Sequence, residues 1–256
     1  MPGIASRSID VSRVALEEIL ALRALYRAEM QCQIVHDSLH QRGFTEAYLI
    51  RVDGRVAGYG CVLGFRGAPK DVVKEFYVLP VHRADARSLF RRFLAVSRAV
   101  TIEAQTNDRL LTLLLFDCAH SIEAGKILFH DAFTTALSMP GVVFRRVTEA
   151  DRPRLFPHSV EGVGDWMLDA EGAVVATGGL LFHYNPPYGD LYMEVAEPFR
   201  RRGYGSLLVQ ALKRTCYERG CLPAARCDAA NAASRATLQK AGMLPCARIL
   251  KGTIAS

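Results

Sequence analysis

The chain has 256 residues, half of them apolar, which is enough to bury one large core or two small ones. No window approaches the roughly 20 continuous apolar residues of a membrane span, and the opening MPGIASRSIDVSR lacks the apolar core of a secretion signal. We therefore expect a cytoplasmic protein with no membrane partner, whose net charge of +6 favours anionic ligands without indicating nucleic acid.

Seven cysteines are present, at irregular spacings and without a CxxC pair or histidines placed to complete a zinc site. They are Cys32, Cys61, Cys118, Cys216, Cys221, Cys227 and Cys246. An odd number in this arrangement predicts buried, reduced thiols and no metal site.

The first half begins with a long helical pattern, VALEEILALRALYRAEM, within Ser12 to Gln41. After it, the first half repeats in the second. DGRVAG at residue 53 matches EGAVVA at 171, and VLPVHRADARS at 78 matches VAEPFRRRGYG at 195, at offsets of 118 (171 − 53) and 117 (195 − 78). LLLFD before SIEAGKILFHDAF similarly parallels AARCD before NAASRATLQKAGM. This period is too long for a solenoid and predicts two copies of one domain, residues 1–139 and 140–256.

The second half alternates strands and helices, which predicts a mixed α/β fold. In chain order, we predict a hairpin turning at Glu171-Gly172, a strand in DLYMEVAE, a helix from Ser206 to Arg219, a strand at AARC, and a helix from Ala232 to Ala241 capped by Asn231.

A glycine turn lies between the strand DLYMEVAE and the following helix, in the sequence RRRGYGS. The first N–H groups of a helix have no internal partner, and the helix dipole adds positive charge there. Glycines at 203 and 205 permit unusual backbone angles and close approach of an anion. The turn is therefore a candidate phosphate site, the alternative being a simple tight turn beside solvated arginines.

These motifs, Arg200-x-x-Gly203-x-Gly205 and NAASRATLQKAGM after the next strand, resemble the GNAT superfamily of acetyl-CoA-dependent N-acetyltransferases. The resemblance implies tandem GNAT domains, with acetyl-CoA as co-substrate and no metal. It implies that main-chain groups of the strand before the turn hold the pantetheine arm and that the turn holds the pyrophosphate. The residues implied to bind are Val195, Arg200, Arg201, Arg202, Gly203, Tyr204, Gly205, Ser206 and Asn231, for the last of which a plain N-cap role is the alternative.

The first copy lacks these features. Opposite Gly203 and Gly205 stand Ala86 and Ser88, whose Cβ atoms disfavour positive φ, and Asp85 adds a negative charge. We therefore expect a degenerate first domain with a structural task.

The second copy is too short to carry two helices between its first and second strands. GNAT proteins carry two helices between their first and second strands, but only about 20 residues separate VVFRRV from GDWML, enough for one short helix and a loop. The acceptor side of the second domain should therefore be open. Our hypothesis is that the first domain, or the second chain of a homodimer, closes it.

An attacking amine is protonated at pH 7, so a base must remove a proton. Asp190, Tyr192 and Glu194 are the candidates, and we place Glu194 and Tyr192 in the catalytic site. The alternative for Glu194 is a surface glutamate paired with an arginine. The acid tyrosine of some family members is replaced by Leu238.

The loop before this strand, with His183, Tyr184 and Tyr188, is expected to line the acceptor pocket. The function predicted is acetyl transfer to a primary amine, with a small molecule as the leading acceptor and a protein amine as the alternative. A noncatalytic acyl-CoA-binding or scaffolding protein is the competing class.

Overall fold

A computed structural model describes residues 7–30, 34, 36–65, 67–159, 161–184 and 186–254. The chain divides into two compact units, unit 1 (Met1–Gly125 with Arg248–Ser256) and unit 2 (Lys126–Ala247). This division differs from the predicted boundary at 139/140, because two long strands, Ala119–Asp131 and Met243–Ile254, each run through a division point. Within the described residues, no helix has the length and apolar character needed to cross a membrane.

Unit 1 is a mixed sheet with helices. Its elements are β1 (Ile9–Val14), α1 (Leu20–Met30), α2 (Asp37–Gln41), β2 (Thr45–Val52), β3 (Arg55–Leu63), β4 (Val72–Val78), α3 (Ala86–Ser97), β5 (Thr101–Gln105), α4 (Arg109–Cys118), the start of β6 (Ala119–Asp131) and the end of β12 (Met243–Ile254). The strand order β1-β2-β3-β4-β5-β12 is antiparallel except for the parallel pair β4–β5.

Unit 2 has the same plan. Its further elements are β7 (Val142–Arg146), β8 (Trp166–Ala170), β9 (Ala173–Leu181), β10 (Tyr188–Val195), α5 (Tyr204–Glu218), β11 (Leu222–Asp228) and α6 (Ala232–Lys240). The strand order β7-β8-β9-β10-β11-β6 is antiparallel except for the parallel pair β10–β11. The mixed α/β class predicted from the sequence is confirmed in both units.

The turn chemistry of unit 2 follows its sequence closely. Glu171 and Gly172 have φ values of 51° and 83°, as a two-residue hairpin turn requires. Gly220, with φ 72°, follows the end of α5, and Asn231 caps α6 by accepting a hydrogen bond from the Ser234 N–H at 2.9 Å. The predicted hairpin turn, the stop after α5 and the cap of α6 are confirmed, whereas α5 begins at Tyr204, two residues before the predicted start at Ser206.

The alignment of the repeat is wrong at one place. The segment LLLFD lies in α4 and SIEAGKILFHD in β6, so the predicted strand and helix are a helix and a strand. In the structure, α4 corresponds to α6, and Asp108 corresponds to Asn231, because each caps its helix by accepting from the N–H three residues on. The helical pattern proposed for Ser12 to Gln41 is also interrupted, since β1 extends to Val14.

The two units differ in how their sheets are covered. In unit 1, one apolar cluster packs α3 and α4 on the sheet. A second packs α1 on it through Leu22 and Tyr26, together with Ile19 of the 3-10 segment Leu16–Ile19 that precedes α1. In the described part of unit 2 there is one such cluster, under α5 and α6. Among the described residues between β7 and β8, the only helical segment is the six-residue 3-10 helix Glu149–Arg154, so the predicted short helix is a 3-10 helix of about two turns.

The six cysteines within the described residues are free thiols. Cys61, Cys216 and Cys227 are buried, whereas Cys246 is exposed, so the expected burial holds for only part of the set. Cys32 lies outside the described residues.

Candidate functional site

The turn between β10 and α5 adopts the backbone that its glycine suggests. Arg201 and Gly203 have φ values of 61° and 93°, in the left-handed region. Glycine enters that region without the steric penalty of a Cβ. The first intrahelical bond of α5 runs from the Leu207 N–H to the Gly203 carbonyl at 3.2 Å, so the N–H groups of residues 204–206 have no carbonyl within the helix to bind. The turn therefore presents main-chain donors at a positive helix end.

Gly205 has a different role from the one its motif suggested. It lies within α5, and a Cβ there would come within 3.0 Å of Thr237 Cγ2 and 3.3 Å of Met193 Cε and Val195 Cγ2. Gly205 thus permits close packing of α5 on β10 and α6, rather than an unusual backbone angle.

The positive charges of the turn are not equivalent. Arg200 donates from Nε to the Val195 carbonyl at 3.2 Å, and its Nη2 lies 3.6 Å from Glu194 Oε1. Arg202 stacks over Phe199 with 5.6 Å between Cζ and the ring centroid. Sequence reasoning missed Lys240 of α6, whose Nζ lies 3.7 Å from where a Gly203 Cβ would be. No spacing rule connects Lys240 to the turn, so no sequence signal could have found it.

Strands β10 and β11 pair only at their beginnings. Their parallel register covers Tyr188–Asp190 against Leu222–Ala224, although β10 continues to Val195 and β11 to Asp228. The Ala196 N–H donates to Val175 of β9, and alternate residues of an antiparallel strand bond to the same neighbour. The main-chain groups of Met193 and Val195 therefore face the opposite edge, toward the gap beside β11.

A cleft of about 840 Å³ lies along the end of β10 and extends to the turn and to the start of α6. Of the residues predicted to bind the cofactor, it is lined by Val195, Arg200, Arg201, Gly203, Tyr204, Gly205, Ser206 and Asn231; Arg202 does not line it. Both predicted catalytic residues, Tyr192 and Glu194, also line it. One wall of the cleft was not predicted: His158, Ser159 and Glu161, from the loop between β7 and β8.

The family model described as the acetyltransferase (GNAT) family matches residues 133–243. The matched segment covers most of unit 2. No curated protein matches the chain in a sequence comparison.

The chain's fold is similar to several solved structures at low sequence identity. A GNAT-family acetyltransferase from Colwellia psychrerythraea has a TM-score of 0.73 at 16% identity, over 96% of this chain and 100% of that one. A tandem GNAT protein from the clavulanic acid biosynthesis pathway has 0.65 at 14%, over 97% and 99%. A GCN5-related N-acetyltransferase from Sphaerobacter thermophilus has 0.61 at 14%, over 97% and 96%. At these identities the likeness is one of fold.

In unit 2, the two predicted catalytic side chains lie on the face of β10 opposite α5. Since Met193 and Val195 pack toward Gly205 of α5, strand alternation sends Tyr192 and Glu194 to the other face. The Tyr192 hydroxyl lies 2.8 Å from where a Cβ of Gly179 would be, so the ring extends over β9, and burial raises its pKa. The phenol is therefore protonated at neutral pH.

Glu194 is held by the unpredicted loop. The Ser159 N–H and Oγ donate to Glu194 Oε2 and Oε1 at 2.8 and 2.9 Å. Burial favours the neutral form, but the hydrogen bonds from Ser159 and the electrostatic effects of His158 and Arg200 outweigh it and lower the pKa of Glu194 below its usual value. Glu194 is therefore a carboxylate that is hydrogen-bonded by Ser159 and lies beside Arg200.

The residues expected to line an acceptor pocket ahead of β10 form a separate polar cluster. The buried Asp190 lies 3.0 Å from His183 Nε2 and 3.7 Å from Arg226 Nε, and Arg226 stacks over Tyr184 at 5.8 Å. None of these, nor Tyr188, lines the 840 Å³ cleft. Asp190 thus pairs with two basic groups and does not face the acyl-transfer gap.

In unit 1, the loop that corresponds to the glycine turn of unit 2 lacks its left-handed backbone, and its arginine is already paired. Arg83 repeats one contact of Arg200, donating from Nε to the Val78 carbonyl at 3.2 Å. However, the loop is a 3-10 turn, Pro80–Asp85, and no residue from 79 to 86 has a positive φ. Glu29 of α1 pairs with Arg83 at 2.5 Å, so the arginine is already neutralised.

The sheet face at β4 is also covered. Glu75, at the position of Tyr192, accepts two hydrogen bonds from Arg23 at 2.8 and 2.9 Å, and Arg23 is 3% exposed. His40, Cys61 and Glu75 form one group of potential metal ligands, within 4.8 Å of one another. Because both oxygens of Glu75 are bonded to Arg23, the guanidinium already supplies the cation at this place.

Asp108 gives a pH dependence that can be measured. Burial raises its pKa to about 6, against hydrogen bonds from Leu111 and Tyr26. Between pH 3.8 and 6 the folded state holds the proton more strongly than the unfolded state, so the unfolding free energy falls as pH rises, by up to about 3 kcal/mol. In urea denaturation between pH 4 and 7, Asp108→Asn should lose this decline. An unchanged pH slope would show that Asp108 ionises normally.

Proposed function

We propose that unit 2 binds acetyl-CoA and transfers its acetyl group to a primary amine. The observation that carries this is the separation of β10 from β11, which leaves the main-chain groups of Met193 and the N–H of Val195 without a partner in β11 and leads into the left-handed turn at Gly203. An extended arm fits the first feature, and a pyrophosphate fits the second.

In this proposal the residues divide by position. Residues 200–206, with the start of α5, bind the pyrophosphate through N–H groups, and Arg200, Arg201 and Lys240 supply positive charge. The side chain of Arg202 contributes only long-range attraction, because it stacks on Phe199 and does not line the cleft. Val195 pairs with the pantetheine arm, and Asn231 remains the cap of α6 at the cleft wall.

The reaction is a direct attack. The amine nitrogen adds to the thioester carbonyl, the tetrahedral oxyanion is stabilised by N–H donors of β10, and the carbon–sulfur bond then breaks. The thiolate leaves without an acid at position 238, since Leu238 is buried in the apolar cluster under α5 and α6.

An amine acceptor is favoured by the charge of the cleft's open face. Glu161 lines the cleft, and Glu161 and Asp165 are both close enough to Tyr192 to raise its pKa further, after burial. Negative groups at this place attract an acceptor that arrives as an ammonium ion.

We further propose that unit 1 is a degenerate GNAT-like domain that does not bind coenzyme A, the two units forming a tandem. The supporting observations are the equal strand plan, the absence of positive φ in residues 79–86, and the ion pair between Glu29 and Arg83.

Thiol release from acetyl-CoA tests the function. The full chain, incubated with a panel of small amines, polyamines, amino acids and peptides, should release coenzyme A with at least one amine far above the rate without acceptor. Small amines should be the best acceptors. If no acceptor gives thiol release above background although acetyl-CoA binds tightly, the protein is an acyl-CoA-binding module and not an enzyme.

A further inference from the structure

We propose that His158 is the proton acceptor of the acetyl transfer and that Glu194 is a positioning residue that holds the loop of His158; this rests on the proposed function. The sequence offered no sign of it, because His158 belongs to no motif and lies 36 residues before Glu194 (194 − 158).

His158 lines the cleft beside Tyr192 and Glu194. Its Nε2 lies 2.5 Å from Oγ1 of Thr177, a fully buried residue of β9 that pairs in register with Glu194. The imidazole therefore stands above the strand pair that forms the floor of the acceptor side.

The His158 ring is held in one orientation by three contacts. The ring of His158 is stacked on Phe156, with centroids 5.7 Å apart, and meets the edge of Tyr192 at 6.2 Å. With Thr177 as a third contact, the ring is fixed on three sides. If Nε2–H donates to Thr177 Oγ1, the lone pair of Nδ1 remains for an incoming proton.

Glu194 and His158 differ in their ability to accept a proton. Glu194 has both oxygens occupied by Ser159, and its pKa is lowered, so it is a weak base. The groups facing His158 are Glu194 and Tyr192 from β10, Thr177 from β9, and Glu161 from its own loop. Burial lowers the pKa of His158 despite the opposing charges of Glu194 and Glu161, so the imidazole is neutral at pH 7 and able to accept.

Two protons leave the acceptor nitrogen during the reaction. His158 Nδ1 takes one proton from the ammonium group of the acceptor, and the resulting amine forms the carbon–nitrogen bond. When the carbon–sulfur bond breaks, the second proton passes from the amide nitrogen to the departing thiolate, giving free coenzyme A thiol. The imidazolium then returns its proton to solvent.

The test uses three forms of the full chain: unmodified, His158→Gln and Glu194→Gln. In the unmodified chain, kcat at saturating substrates should fall on the acid side of a pKa below 6.5. His158→Gln, whose amide can still bind Thr177, should lose about 100-fold in kcat at pH 7 and lose this acid limb. Its Kd for acetyl-CoA should stay within three-fold, which also shows that it is folded.

Glu194→Gln should behave differently, with a raised acceptor KM, a smaller loss of kcat and the acid limb retained. A weakly basic amine, which arrives already unprotonated, should reduce the His158→Gln defect to a few-fold. The proposal is overturned if His158→Gln keeps the acid limb, or if Glu194→Gln loses it instead. Thiol release by none of the three forms would overturn the proposed function and this inference together.

Discussion

Gly203→Asp should weaken acetyl-CoA binding by at least about 100-fold. The substitution places a side chain on a residue with φ 93°, where L-residues are strained, and adds a negative charge to a turn proposed to bind pyrophosphate. Several charge-assisted hydrogen bonds, each contributing about 1.5 to 3 kcal/mol, would be weakened together. Isothermal titration calorimetry of acetyl-CoA into the full chain measures the loss directly.

Gly220→Asp is the matched control. Gly220 follows the other end of the same helix, has φ 72°, and has no atom within 4 Å of its would-be Cβ. The backbone strain and added charge are therefore similar, although a Cβ at Gly203 would also come within 2.7 Å of Met139 Cε, the end of a flexible side chain. Gly220→Asp does not touch the anion site, and affinity should stay within three-fold. Equal damage from both variants would mean that strain in α5, not the turn, controls binding. The unmodified chain should bind one molecule; a stoichiometry of two would contradict a degenerate unit 1.

Glu75→Ala should destabilise unit 1 by about 3 to 5 kcal/mol. It removes the bidentate partner of Arg23, whose side chain is 3% exposed, and leaves a buried guanidinium paired with Asp37 alone. Removing one member of a buried pair is costly because the remaining charge has lost its compensation. Urea denaturation gives the change in unfolding free energy.

Glu75→Gln separates charge from packing, because it keeps the side-chain volume. We expect at least half of the Glu75→Ala loss to remain. Glu149→Ala is the exposed control: Glu149 and Arg152 are paired, but their side chains are 84% and 70% exposed, so the denaturation midpoint should not move. A Glu75→Gln variant as stable as the unmodified chain would assign the effect to the cavity, not to the ion pair.

Local features were predicted from the sequence because they depend on a few adjacent residues. The hairpin at Glu171-Gly172, the cap at Asn231 and the turn before α5 each use a residue type suited to one backbone conformation. Their spacing along the chain was enough to place most of the cleft residues together.

Long-range features were not predictable in the same way. The contact of His158 with Thr177, and the anchoring of Ser159 by Glu194, join a loop without any motif to strands that follow it in the chain. The misalignment at LLLFD arose because α4 and β6 are both rich in apolar residues, so an apolar run alone did not distinguish helix from strand. Gly205 was assigned to the anion site because its packing partners, Thr237 and Met193, are distant in sequence.

The placement of β12 has a consequence for synthesis of the protein on the ribosome. The strand β5 pairs through Thr101–Gln105 with Ile249–Thr253 of β12, which follow the whole of unit 2 in the chain. While residues 126–247 are being translated, the N-terminal segment carries a parallel strand with an open edge, a type of surface that invites pairing with other chains. Domain-by-domain folding during translation is therefore not available to unit 1. Its sheet is completed only after the last strand has left the exit tunnel, so nascent chains stalled within unit 2 should be the aggregation-prone species.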